Sequence, residues 1–163
     1  MTIYPIEYTY GELTEKGLVN LLNEVDTKGK IFYDLGSGKG NVLKYAAKNF
    51  DSLKQIVGIE IIKERHEQAL LNTKPYPKIS LYNDSFFSNK YNYNDADIIY
   101  ISNLCFSKEM NKKLNKKISK EVKPGSIIFS SKQLDLTRDT THKSITTEQT
   151  WSPDSNIHML IVN

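Results

Sequence analysis

Three glycines at alternate positions, Gly36, Gly38 and Gly40, constrain this chain more than any other feature of its sequence. They follow residues 30–35, a short apolar run of β-forming residues that predicts a buried strand. Residues 42–50 have the apolar spacing of an amphipathic helix. Because glycine adopts positive φ and has no Cβ, the backbone can turn sharply here and approach a ligand closely. The sequence therefore predicts a strand–bend–helix unit whose helix N-terminus can bind a negatively charged part of a ligand.

The glycine spacing distinguishes between ligand-binding motifs. A dinucleotide fingerprint requires glycine at its sixth position, where this chain has Asn41, and a P-loop requires Ser or Thr where it has Gly40. The pattern Asp-Leu-Gly-Ser-Gly-x-Gly, which begins at Asp34, resembles motif I of class I S-adenosylmethionine (SAM) methyltransferases. An acidic residue that binds the ribose hydroxyls is expected about 20 residues further on. Glu60, at the end of the predicted strand 55–60, fits this place.

Composition is that of one ordinary globular domain. The chain has 163 residues, of which 39% are hydrophobic and 25% charged, and its net charge is +3. We expect a single methyltransferase domain over residues 1–163, in which residues 1–29 form an arm and a helix over the cofactor site. The lone cysteine, Cys105, excludes an internal disulfide, and no apolar run is long enough to cross a membrane.

Strands and helices alternate along the chain, which indicates a doubly wound sheet. Further helices are predicted over residues 15–24, with Thr14 as N-cap, and over 62–72 and 108–121, and further strands over 79–83, 98–101 and 126–130. In the second of these helices we expect Ala69 and Leu70 to face inward. Residues 144–151 and 157–162, separated by a turn at 152–155, predict a closing antiparallel pair. The expected fold class is α/β, a Rossmann-like class I methyltransferase fold with a mostly parallel seven-stranded sheet and a C-terminal antiparallel hairpin.

Several separated segments resemble the Dot-one (disruptor of telomeric silencing) histone-lysine methyltransferases. The matching segments are Tyr10-Gly11-Glu12-Leu13-Thr14, residues 32–40, Gly58-Ile59-Glu60, Asn83-Asp84, Ser102-Asn103-Leu104-Cys105-Phe106, Ser130-Ser131-Lys132 and Trp151. They occur in the family's order and cover nearly all of the chain. The chain departs from the family where Ser102 replaces an asparagine near the reaction centre and where His158 aligns with a channel tyrosine.

The resemblance, together with the chemistry of SAM, implies a cofactor site. Asp34 could accept from the α-ammonium group or cap the following turn, and Asn41 could donate to the cofactor carboxylate. Glu60 can accept from both ribose hydroxyls, and Asp84 is expected either at the adenine amino group or as a turn residue. The full predicted set comprises Tyr10, Glu12, Thr14, Asp34, Gly36, Gly38, Asn41, Glu60, Asp84, Ser85 and Asn103.

For methyl transfer to a lysine, a dry aromatic channel would favour the neutral amine. Tyr10, Phe106 and Trp151 are the candidate channel walls, although Phe106 and Trp151 could equally be core residues. Asn103 and Ser102 could orient the amine through polar contacts. The three histidines have no metal-ligand spacing, so we predict no metal. His158 could accept the lysine proton if it lines the pocket.

The predicted helix over residues 108–121 and the two residues after it are rich in lysine, with seven lysines from Lys108 to Lys123. They form either a solvated face or a surface for nucleic-acid phosphate or an acidic protein.

The leading functional prediction is a SAM-dependent protein-lysine methyltransferase acting on a histone or histone-like protein. The alternatives are another protein lysine, a small molecule or RNA as acceptor, and an inactive SAM-binding module. An intracellular location is expected, nuclear for a eukaryotic histone-directed enzyme and otherwise cytoplasmic.

Overall fold

A computed structural model describes residues 12–163 of the chain, so the predicted site residue Tyr10 lies outside the described part. The helices are α1 (Glu15–Leu22), α2 (Asn41–Asn49), α3 (Lys63–Thr73) and α4 (Lys108–Glu121), with a short 3-10 helix at Tyr93–Asp95. The strands are β1 (Ile31–Leu35), β2 (Gln55–Glu60), β3 (Ile79–Asn83), β4 (Ile98–Ile101), β5 (Ile127–Ser130), β6 (Thr140–Gln149) and β7 (Ser152–Val162).

The strands form one seven-stranded sheet in the order β3-β2-β1-β4-β5-β7-β6. The first five strands of this order pair in parallel, whereas β7 pairs antiparallel with both β5 and β6. The carboxyl ends of the parallel strands therefore meet at one edge of the sheet. This arrangement confirms the predicted fold class, including its antiparallel C-terminal hairpin.

Apolar side chains cover both faces of the sheet. On one face, α1 and α2 contribute Leu18, Leu21 and Leu43 to a cluster with Phe32 and Phe129 of the strands. On the other face, α4 packs Leu114 and Ile118 against side chains from β1, β4, β5 and β7. Both α1 and α4 begin with a hydroxyl that accepts a hydrogen bond from the first turn, supplied by Thr14 and Ser107.

Two local predictions are corrected. Leu70 is 50% exposed, because α3 presents only a narrow buried stripe, formed by Ala69 and Thr73. The predicted turn at 152–155 belongs to β7 instead: Ser155 pairs with Thr147, a register shift follows, and Gln149 then pairs with Ser152. The hairpin therefore closes over the two residues Thr150 and Trp151.

No helix among residues 12–163 is both long enough and apolar enough to cross a membrane.

Candidate functional site

The glycine bend at the carboxyl end of β1 is attached to the end of β2. Gly36, Gly38 and Gly40 have φ angles of +86°, +56° and +82°, in the left-handed region that glycine tolerates best. The backbone N–H groups of Gly36 and Ser37 donate to the carbonyl oxygen of Ile59 at 2.8 and 3.0 Å. These bonds fix the bend relative to β2 without using any side chain.

Glu60 is held at both carboxylate oxygens. Its Oε1 accepts from the backbone N–H of Gly38 and its Oε2 from that of Ile62, each at 2.8 Å. The residue is only 4% exposed. Because each carboxylate oxygen can accept more than one hydrogen bond, Glu60 retains capacity for hydroxyl donors from a ligand.

The glycines are required for different reasons. No atom of residues 12–163 would lie within 4 Å of a Cβ at Gly36, so within this part of the chain the position leaves open space beside the bend. A Cβ at Gly40 would lie 3.0 Å from Thr73 and 3.1 Å from Ala69, where α2 packs on α3. At Gly58 it would lie 2.4 Å from Leu43 Cδ1 and 2.7 Å from Ser37 Oγ. Gly36 thus faces the candidate ligand space, while the other two allow close packing.

A crevice that is open to solvent lies beside this bend. Its walls come from the segment before α1 and from the carboxyl ends of β1 and β4: Glu12, Asp34, Gly36, Ser37, Val42, Tyr100 and Ser102. Among residues 12–163, none donates a hydrogen bond to the buried Asp34 carboxyl, and Ser37 Oγ is buried without a partner. The crevice therefore presents polar atoms that a ligand can satisfy.

Three carboxylates make this crevice acidic. Burial, and then the charges of Glu12 and Glu60, raise the pKa of Asp34 well above its ordinary value. Burial and the charge of Asp34 likewise raise the pKa of Tyr100, with a smaller opposing effect of Ser102. The Tyr100 hydroxyl therefore keeps its proton as a potential donor. A ligand carrying positive charge would offset the repulsion among the carboxylates.

Three residues that line the crevice were not predicted from the sequence: Tyr100, Ser37 and Val42. Tyr100 pairs with Asp34 in the β1–β4 register, so both side chains lie on the same face of the sheet. Strand alternation could have indicated Tyr100 once β4 was placed beside β1. Ser37 and Val42 flank the glycines, and only the path of the bend shows that they face the crevice.

Glu12 and Thr14 lie beside the crevice and form hydrogen bonds with the end of β6. The backbone N–H of Thr150 donates to the Glu12 carbonyl at 2.8 Å, and Asn41 Nδ2 donates to Glu12 Oε2 at 3.2 Å. Thr14 Oγ1 accepts from the Gly17 N–H at 3.0 Å and donates to the Glu148 carbonyl at 3.4 Å. Asn41 thus reaches the crevice rim already paired with Glu12, and the Thr14 hydroxyl caps α1.

Asp84 and Ser85 form a turn at the end of β3. The Asp84 N–H donates to the Glu60 carbonyl at 3.1 Å, which places the two acidic residues side by side. The Asp84 side chain accepts from the Ser85 N–H at 2.8 Å and from the Tyr91 hydroxyl at 3.2 Å, and Ser85 Oγ accepts from a backbone N–H in the same turn. Ile61, 44% exposed next to Glu60, is an apolar neighbour that sequence analysis did not identify.

Asn103 joins the loop after β4 to the loop after β5. Its Nδ2 donates to Asn111 Oδ1 at 2.9 Å and to the Lys132 carbonyl at 3.1 Å. Its Oδ1 accepts from the Lys132 N–H at 2.8 Å and from the Ser131 hydroxyl at 3.3 Å. The residue is fully buried, and its amide has no remaining donor. Its predicted contact with cofactor or amine remains a prediction.

The two predicted channel walls within the described residues, Phe106 and Trp151, lie in different environments. Phe106 stacks on Phe86, with ring centroids 6.0 Å apart and planes 13° apart. Trp151 is 59% exposed in the β6–β7 turn, next to Thr150, whose N–H contacts Glu12 at the crevice. Of the predicted catalytic residues within the described part, Ser102 lines the crevice directly.

His158 pairs with a second histidine. Its Nδ1 lies 3.0 Å from His142 Nε2, and burial together with His142 lowers the pKa of His158. In the β5–β7 register it is opposite Ser130, on the strand next to β4. Residues 12–163 contain no cluster of three side chains suited to hold a metal ion.

The fold and this site define the class of the protein. A candidate methyltransferase from Escherichia coli superimposes with a TM-score of 0.71 at 11% identity, covering 90% of this chain and 82% of its own. A candidate RNA methyltransferase from Pyrococcus horikoshii gives a TM-score of 0.66 at 15% identity, covering 99% and 90%. The architecture is therefore that of the class I SAM-dependent methyltransferases.

The sequence profile described as "Histone methylation protein DOT1" matches residues 6–159, and this chain belongs to that family. A protein-lysine N-methyltransferase from Saccharolobus islandicus is 34% identical over 103 residues. The match covers 61% of this chain and 60% of that relative.

Proposed function

We propose that this chain is a SAM-dependent protein-lysine N-methyltransferase that acts on a histone or a histone-like basic protein. The observation that carries the proposal is the acidic crevice at the glycine bend, where the buried Asp34 carboxyl accepts no hydrogen bond from residues 12–163 and Glu60 is held beside the bend. Membership of the DOT1 family and the lysine-methyltransferase relative support lysine as the acceptor.

The residues present fit SAM. Asp34 offers a carboxylate to the α-ammonium group, Glu60 offers its remaining acceptor capacity to the ribose hydroxyls, and Ile61 offers an apolar surface for the adenine. The first helical hydrogen bond of α2 runs from the Lys44 N–H to the Gly40 carbonyl, so the preceding N–H groups can face the cofactor carboxylate. When bound, SAM supplies the methyl group from its sulfonium.

The protein's contribution to transfer is alignment and exclusion of water. Ser102 lies at the crevice, at the carboxyl end of β4, and can contact an incoming amine. Asn103 holds the next loop in place through its buried amide. An apolar approach path would favour the neutral amine, which is the form that can attack a methyl group. Phe106 and Trp151 remain the proposed walls of that path.

The deciding experiment incubates the purified chain with methyl-labelled SAM and a panel of acceptors: histones, small basic DNA-binding proteins, free lysine and RNA. Mass spectrometry of the products locates the label. Methylated lysine in a basic protein is the expected result. Label in RNA or in the free amino acid would replace the proposed acceptor, and calorimetric SAM binding with no transfer to any acceptor would favour the inactive module.

The variant Gly38→Arg is the negative control, because a side chain at a φ of +56° is strained and would disturb the bend whose N–H donates to Glu60. We expect it to lose SAM binding and transfer together. Unchanged SAM affinity in this variant would refute the assignment of the crevice as the cofactor site.

A further inference from the structure

Four lysines form an oblique row along α4, because residues four apart in a helix are offset by about 40° around its axis. Lys108, Lys112, Lys116 and Lys120 follow one another at intervals of four residues, and all four are exposed. Residues four apart in a helix lie one above the other on the same face. At a rise of about 1.5 Å per residue, this lysine row is about 18 Å long. The opposite face of α4 packs Leu114 and Ile118 in the core.

The lysine row is not neutralised, unlike two other lysines of this region. Lys117 pairs with Glu121, and Lys123 pairs with Asp97, each at 2.8 Å. None of the ion pairs found among residues 12–163 includes a member of the row. Glu109 is the one exposed acid of α4, and it leaves the face with a clear excess of positive charge. Like charges at this spacing destabilise a helix, so an anionic partner would relieve their repulsion.

We propose that the lysine row binds the phosphate backbone of double-stranded nucleic acid. Over about 18 Å, one strand of B-form DNA carries about five phosphates, which suits four flexible ammonium groups. The outward positions of α4 hold no apolar or aromatic side chain, whereas the large exposed apolar residues lie elsewhere: Ile61, Leu70, Leu71, Tyr82, Leu104 and Trp151. The face therefore lacks the apolar anchor of a protein interface and the aromatic platform on which single-stranded bases stack.

The position of the lysine row relates it to the crevice. Since α4 follows β4 and its loop, its N-terminal end, with Lys108, lies toward the sheet edge that carries Ser102. A duplex on the row would bring DNA-bound basic proteins close to that edge. The binding itself requires neither SAM nor methyl transfer, so it goes beyond the proposed function and can be tested separately.

The test measures binding of a fluorescent 20-base-pair duplex of arbitrary sequence by anisotropy, without SAM, over a series of salt concentrations. The row variant replaces Lys108, Lys112, Lys116 and Lys120 by glutamine. The control variant makes the same change at four exposed lysines outside α4: Lys16, Lys28, Lys54 and Lys74. Both variants carry the same net charge, so a difference between them reports position rather than total charge.

We expect the row variant to bind at least about tenfold more weakly at low salt and its log–log salt slope to fall by about 3 to 4, near 0.9 for each phosphate that the row no longer neutralises. The affinity of the control variant for the duplex should stay within a few-fold of that of the unmodified chain.

Equal weakening of both variants, or no duplex binding by the unmodified chain, overturns the proposal. The proposal is also overturned if the chain binds single-stranded DNA or poly-L-glutamate more tightly than the duplex and the row variant loses that binding. The row would then bind one of those partners instead. Circular dichroism checks that α4 remains helical in each variant.

Discussion

The backbone N–H of Gly38 donates to Oε1 of Glu60 at 2.8 Å, joining two residues 22 positions apart. This bond connects the bend after β1 to the end of β2, so the bend itself determines where the carboxylate lies. The second oxygen accepts from the Ile62 N–H, which leaves the Glu60 side chain little freedom. A change at Glu60 should therefore affect both the folded structure and the cofactor.

Glu60→Gln tests this double role. A glutamine side chain has one acceptor oxygen, so its NH2 group must face either the Gly38 or the Ile62 N–H. Losing one charged hydrogen bond in a buried site should lower the free energy of unfolding by about 1–3 kcal/mol and SAM affinity about tenfold or more. Urea denaturation and calorimetry measure the two effects. Glu67→Gln makes the same chemical change on the exposed face of α3, and equal results for the two variants would contradict the assignment.

Asp34→Asn tests the electrostatics of the crevice. Burial, followed by Glu12 and Glu60, raises the pKa of Asp34, so the folded chain retains this proton to higher pH than the unfolded chain does. The stability contributed by Asp34 therefore falls as pH rises from about 4, its pKa in the unfolded chain, to the raised pKa. The asparagine of the Asp34→Asn variant has no titratable group at this position. The free energy of unfolding of the variant relative to the unmodified chain should increase across that window and then level off, and a pH-independent difference would show that the carboxyl is not perturbed.

The affinity for SAM should also depend on the titration of Asp34, but it should change with pH in the direction opposite to stability. Because the ionised carboxylate is the form that attracts an ammonium group, the SAM affinity of the unmodified chain should rise with pH over the window in which its stability falls. Asp34→Asn should bind SAM more weakly and lose this part of the pH dependence. Calorimetry at several pH values compares them, and parallel profiles would place the ammonium group away from Asp34.

Asn103→Ala should separate positioning from cofactor binding. The substitution removes four side-chain hydrogen bonds from a fully buried site, at a cost of about 2–5 kcal/mol in stability. We expect turnover to fall far more than SAM affinity, because the loop at Lys132 loses its attachment. Asn111→Ala, which removes one of these partners, should give a smaller change in the same direction. A parallel loss of SAM affinity and turnover would make Asn103 a direct cofactor ligand.

Gly58→Ala should disturb the crevice through packing alone. The new methyl group would lie 2.4 Å from Leu43 Cδ1 and 2.7 Å from Ser37 Oγ. Overpacking of this kind costs about 1–3 kcal/mol, and the shift of Ser37 should weaken SAM binding. Gly125→Ala is the control, since its φ of +89° makes alanine strained while no atom of residues 12–163 would lie within 4 Å of the new methyl group. Both variants should be less stable, but only Gly58→Ala should alter SAM affinity measured on folded protein.

Much of the fold was predictable because its signals are local. The run before Gly36, the glycine spacing and the acid at Glu60 each specify a backbone conformation or a strand end within a few residues. The failures concern exposure and pairing: the neighbours of α3 decide that Leu70 is exposed, and the β6–β7 register decides that residues 152–155 extend a strand.

The sequence by itself determined the strand–bend–helix unit, the order of strands and helices and the family, because periodicity, glycine conformation and motif spacing belong to short stretches of chain. Only the tertiary structure decided that Tyr100 stands beside Asp34, that the Asn103 amide joins two loops and that Glu12 reaches Asn41. Each of these contacts joins residues far apart in sequence, so it depends on strand register and packing that no local pattern encodes.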